Sequence, residues 1–100
     1  MVIALNTRTI LSIFRDMKLV KYLNVGWGDD EAVQLAEVLP LCTSATELNL
    51  ANNKNISDRG AKALAAAFAE GAMPKLERLY LMNNQIGDEG ALALAEAVGK

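Results

Sequence analysis

The chain has 100 residues, with 12 acidic and 10 basic side chains, no histidine and one cysteine. That length allows one domain at most, and a net charge of −2 gives no basis for general affinity to nucleic acid. The absence of histidine excludes Ser-His-Asp and Cys-His nucleophile systems and histidine metal sites, and a lone Cys42 excludes an internal disulfide and points to a reducing, cytoplasmic compartment.

The chain begins with Met1 and the apolar run Val2-Ile3-Ala4-Leu5, too short for a signal-peptide core, and no later run approaches a membrane span. Neither a membrane nor nucleic acid is therefore expected as a partner. Arg8, Arg15, Lys18 and Lys21 make the start basic, which reads as solvated surface. Ile10, Ile13, Phe14 and Met17 recur at helical spacing. They predict a helix within residues 1–18 that either caps the first edge of a sheet or is the stump of another repeat.

From residue 19 onward the chain repeats itself, in units of about 19–44, 45–75 and 76–100. Leu48, Leu50, Asn53, Ile56, Gly60 and Leu64 recur as Leu79, Leu81, Asn84, Ile86, Gly90 and Leu94, with one extra residue at Lys54-Asn55. A fixed period of this size marks a stacked repeat architecture. The first unit is degenerate. Leu23 and Val25 take the paired apolar positions, Gly28 stands in the asparagine position, Glu31 stands in the glycine position, and the loop is short.

Each unit opens with apolar alternation, predicting short strands over about 21–25, 46–50 and 77–81. Each continues into a helix whose apolar stripe keeps the same register. The stripes are Ala32, Leu35, Ala36 and Leu39; then Ala61, Leu64, Ala65 and Phe68; then Ala91, Leu94, Ala95 and Val98. Asp29, Asp58 and Asp88 fall at the helix starts, where a carboxylate meets the positive end of the helix dipole. Gly71 and Pro74 end the second helix. Strand, crossover helix and strand make a parallel βα unit with right-handed crossovers. The predicted fold is an α/β, right-handed βα solenoid. It has a concave parallel sheet, outer helices and about three repeats behind an N-terminal helix.

The pattern Leu-x-x-Leu-x-Leu-x-x-Asn-x-Ile-x-x-x-Gly-x-x-x-Leu, running from Leu76 to Leu94, resembles the leucine-rich repeat of the ribonuclease-inhibitor-like class. The second unit matches with Ala45 in the first leucine place, and the first unit matches in part. The resemblance implies a horseshoe that binds protein partners, with Asn53 and Asn84 satisfying backbone groups in the turns. It assigns no single function.

Chemistry finds little support in the residues. Cys42 reads as a buried small apolar residue. Gly26-Trp27-Gly28 lacks the third glycine of a dinucleotide fingerprint, and Asp29-Asp30-Glu31 reads as an acidic helix start. No cofactor or metal is expected, and the protein is read as non-catalytic. What remains is the concave face, where Tyr22, Asn24 and Gly26, then Glu47, Asn49 and Ala51, then Arg78, Tyr80 and Met82 flank the inward residues. Tyr22, Asn24, Trp27, Glu47, Asn49, Arg78, Tyr80 and Met82 are the candidate partner-binding residues, with Glu47 and Arg78 as a cross-strand ion pair. Trp27 aligns either with Asn52 and Asn83, exposed, or with Ile56 and Ile86 as a core plug, and the second alignment is preferred. The expected function is a protein–protein interaction module. The alternatives are a Ran-type GTPase activator and a structural segment of a longer array, including self-association through the last strand's edge.

Overall fold

The structure is a computed structural model that describes residues 7–98, with backbone alone for residues 7–11. The apolar run at Val2–Leu5, the side chain of Ile10 and the last two residues lie outside it. The elements in chain order are α1 (Thr7–Asp16), β1 (Leu19–Lys21), α2 (Asp29–Val38), β2 (Glu47–Asn49), α3 (Asp58–Ala69), β3 (Arg78–Tyr80) and α4 (Asp88–Val98), with a 3₁₀ turn at Leu39–Leu41. Strand and helix alternate, and the strands form one parallel sheet in the order β1-β2-β3.

In β2 and β3 the Leu-x-Leu alternation works as the sequence implies. Leu48 and Leu50 are fully buried, and Leu79 and Leu81 pack half-buried on the same core. The first strand differs from expectation. It lies at Leu19–Lys21 rather than 21–25, and its inward residue is Val20, which pairs with Leu48, which in turn pairs with Leu79. Leu23 and Val25 are 41% and 52% exposed and are not core residues. Tyr22 takes the second inward place and packs on the core beside Trp27, the two rings stacked at 4.6 Å.

The turns explain this register. Asn24, Asn52 and Asn83 all adopt left-handed backbone, with φ of 56°, 62° and 61°. Asparagine tolerates that region better than other non-glycine residues. Backbone bonds from Asn24 N–H to the Ala51 carbonyl and from Asn52 N–H to the Met82 carbonyl place these residues at the same point of successive turns. Val25, not Gly28, therefore occupies the place of Asn53 and Asn84, and the first turn is as long as the third. Trp27 falls level with Ile56 and Ile86 and is half-buried against the core.

The helices form one layer behind the sheet. α3 buries Gly60, Ala61, Leu64, Ala65, Ala67 and Phe68, and small side chains let it lie close to its neighbours. It ends in a Schellman arrangement: Gly71 at φ +99° donates its N–H to the Phe68 carbonyl, and Ala72 donates to Ala67. α4 buries Leu94 and Ala97, but Ala91, Ala95 and Val98 of its predicted stripe are exposed, because no described element packs beyond them. Phe14 in α1 and Met17 just after it pack on the core, whereas Ile13 is 48% exposed and does not join that stripe.

Candidate functional site

Side chains alternate across a strand, so the residues flanking Val20, Leu48 and Leu79 share the face of the sheet turned away from the helices. The register sets Leu19, Glu47 and Arg78 in one row and Lys21, Asn49 and Tyr80 in the next. Leu23, Ala51 and Met82 follow at the third level. The face is thus a small grid fixed by backbone pairing rather than by loop conformation.

Glu47 lies at its centre. It is only 8% exposed, yet it has cations on both sides: Lys21 Nζ at 3.6 Å and Arg78 Nη1 at 4.0 Å. The expected Glu47–Arg78 pair is present, and Lys21 is a second partner that the sequence register had hidden. Two cations around one carboxylate leave this part of the face positive by one charge. Asn49 Oδ1 accepts the Ala51 N–H at 3.1 Å, which fixes its side chain. Leu19, Leu23 and Met82 are 45%, 41% and 57% exposed and add apolar surface around the charged cluster.

Five of the eight candidate residues meet on this face: Glu47, Asn49, Arg78, Tyr80 and Met82. The other three do not. Tyr22 points to the core, Trp27 stacks on it, and Asn24 forms the left-handed turn. Leu19, Lys21 and Leu23 are present in their stead. The signal that finds them is Asn24 read against the first asparagine of each Asn-Asn pair, which moves the strand three residues upstream.

Two polar networks hold the grid. The first runs through Asn53, which has no exposed surface. Its Oδ1 accepts the N–H groups of Val25 and Trp27, both at 3.1 Å, and its Nδ2 donates to the carbonyls of Tyr22 and Leu50, both at 2.9 Å. The second was not visible in the sequence. Asp29 begins α2 but bonds across to the start of α3: Oδ1 accepts Ser57 N–H at 2.7 Å and Gly60 N–H at 2.9 Å, and Oδ2 accepts the Ser57 hydroxyl at 2.6 Å. Asp58 repeats the arrangement on Gly87 and Gly90. Burial opposes the charge on Asp29, but the Ser57 hydroxyl, the Ser57 and Gly60 N–H groups and nearby Arg59 outweigh it and hold the carboxyl below its ordinary 3.8. Arg59 to Asp30 and Lys62 to Glu89 tie the exposed helix surfaces at 2.7 and 2.9 Å.

Cys42 is 1% exposed, and burial pushes its thiol pKa up. It therefore stays protonated and unreactive. No described helix is long and apolar enough to cross a membrane.

Successive βα units, joined turn to turn by asparagine and helix to helix by aspartate, define a tandem repeat protein. Residues 42–65 and 72–95 each match the family described as Leucine Rich repeat, so the chain carries two leucine-rich repeats, which overlap its second and third units. No curated protein matches the chain.

Proposed function

We propose that this chain is a non-catalytic protein-interaction module of the ribonuclease-inhibitor-like leucine-rich type, and that a protein partner docks on the open face of the sheet. Leucine-rich repeats generally mediate protein–protein contacts, and helices are wider than strands, so continued stacking bends the sheet into the concave wall of a right-handed solenoid. The observation that carries the reading is the charged cluster of Lys21, Glu47 and Arg78, set on paired strands and framed by exposed Leu19, Leu23 and Met82. A rigid surface of this kind loses little side-chain freedom on binding. Arginine and tyrosine beside apolar surface are typical anchors, which singles out Arg78 and Tyr80. The reading requires no cofactor and is in keeping with a reducing, cytoplasmic setting for the buried thiol.

Affinity capture with the full chain, compared with Arg78→Glu and Tyr80→Ala, tests the proposal. The expected result is loss of the partner from both variants while their circular dichroism and melting remain native-like. Retention of every partner by folded variants overturns it.

A further inference from the structure

The open face of the sheet has donors to spare and few acceptors. Glu47, the carboxylate of the grid, is nearly buried and is already shared by two cations. Asn49 Oδ1 is taken by the Ala51 N–H, and its Nδ2 donates to nothing among the described residues. Lys21 Nζ and Arg78 Nη1 stand 3.6 and 4.0 Å from Glu47, near enough for charge attraction but too far for hydrogen bonds. On the helix layer, by contrast, Arg59 and Lys62 are spent on Asp30 and Glu89 at 2.7 and 2.9 Å. The ammonium of Lys21, the guanidinium of Arg78 and the hydroxyl of half-buried Tyr80 therefore face solvent with no hydrogen-bond partner among the described residues.

These donors have a fixed layout. Arg78 holds the first level of the grid, and Lys21, Asn49 and Tyr80 hold the second. Leu23 and Met82 make the third level apolar. Successive levels are two residues apart on a strand, about 7 Å. An extended segment lying along the strands presents every second side chain at the same interval.

We infer that the face takes an acidic segment of its protein partner, extended along the strands, with carboxylates over the Arg78 and Lys21 levels and an apolar side chain over Leu23 and Met82. The inference depends on the docking face proposed above and adds the chemistry of what docks there. Charge complementarity selects the occupant. A basic segment sets cation against cation, and a neutral one leaves the guanidinium and ammonium without an anion. A carboxylate accepts from arginine through two parallel bonds, which the free guanidinium offers. The chain as a whole carries a net charge of −2, so the attraction is local to this face and is screened by salt.

The test is a titration of the full chain, labelled with nitrogen-15, with the capped peptide Leu-Ser-Glu-Ser-Glu-Ser-Leu, which reads the same in both directions. Counterparts carry glutamine or lysine for both glutamates, or serine for both leucines. The glutamate peptide is expected to shift the amides of Lys21, Asn49, Arg78 and Tyr80 and to bind about fivefold more tightly than the glutamine peptide. That margin closes in about 1 M salt. The serine-for-leucine peptide binds more weakly, and Arg78→Glu reverses the preference toward the lysine peptide. Equal binding of the glutamate and glutamine peptides, tighter binding of the lysine peptide to the unaltered chain, shifts confined to other surfaces, or no shift with any peptide each overturns the inference. If one of these results accompanies loss of a captured partner from the folded Arg78→Glu and Tyr80→Ala variants, the docking face stands and only its acidic occupant is removed.

Discussion

The backbone N–H of Asn53 donates to the side-chain oxygen of Asn84 at 2.8 Å, so the turn of one unit is closed by the side chain of the next. Asn53 does the same for the first turn, through Val25 and Trp27. Stability therefore passes from unit to unit through asparagine side chains, fully buried at Asn53 and half-buried at Asn84.

Asn53→Ala strands two backbone N–H groups and the Tyr22 carbonyl around a side chain with no exposure, while the Leu50 carbonyl keeps Asn84 Nδ2; Asn84→Ala strands fewer groups nearer solvent. Unsatisfied buried polar groups cost about 1–3 kcal/mol each, only part of which survives relaxation. The expected losses are about 2–4 kcal/mol for Asn53→Ala and about 1–2 kcal/mol for Asn84→Ala. Urea unfolding of the two variants checks both the size and the order.

Gly60→Ala is expected to destabilise, against the usual helix preference. In an open helix the change gains up to about 1 kcal/mol. Here the new methyl meets Asp29 Oδ1 at 2.7 Å and Ala32 Cβ at 3.0 Å, forcing two helices apart. Overpacking of this kind costs about 1–3 kcal/mol, so a lowered melting temperature is the net expectation.

Acid should weaken the α2–α3 junction. The Asp29 carboxyl lies below 3.8 when folded and returns to its ordinary value when unfolded. Its contribution is thus complete above about pH 4 and is lost as pH falls through the lower folded value. Asp29→Asn removes that contribution at neutral pH. The stability gap between wild type and Asp29→Asn should accordingly narrow when thermal unfolding is followed from pH 6 down to about pH 2.

Arg78→Ala should barely alter folding. The guanidinium is 59% exposed and 4.0 Å from Glu47, which retains Lys21 at 3.6 Å. Such pairs contribute under about 1 kcal/mol. Chemical denaturation showing a loss within that bound separates the binding role of Arg78 from any structural one.

The α3 stripe and the second and third strands were legible because several signals coincide there: Leu-x-Leu, the Asn-Asn pair and the glycine of the following helix; three of the four α4 stripe residues are exposed. In the first unit only alternation was available, and Val20-x-Tyr22 and Leu23-x-Val25 satisfy it equally. The two choices differ by three residues, an odd number, so the wrong one exchanges the faces of every side chain. That is why Tyr22 was expected outside, while Lys21 and Leu23 were missed. The aspartate relay was illegible for a different reason. A carboxylate at a helix start is explained by its own helix dipole, and its true acceptor role depends on how closely the next helix packs. Gly60 and Gly90 permit that packing, but only the stacked structure shows which carboxylate they face.

Three βα units stand in parallel with Val20, Leu48 and Leu79 side by side, and the Lys21, Glu47 and Arg78 cluster lies on the opposite face of the sheet. Nuclear Overhauser contacts across the sheet test it most directly. Contacts from Val20 to Leu48 and from Leu48 to Leu79, with Tyr22 against Trp27, are expected. Contacts from Leu23 or Val25 to Leu48 in place of Val20 would contradict it.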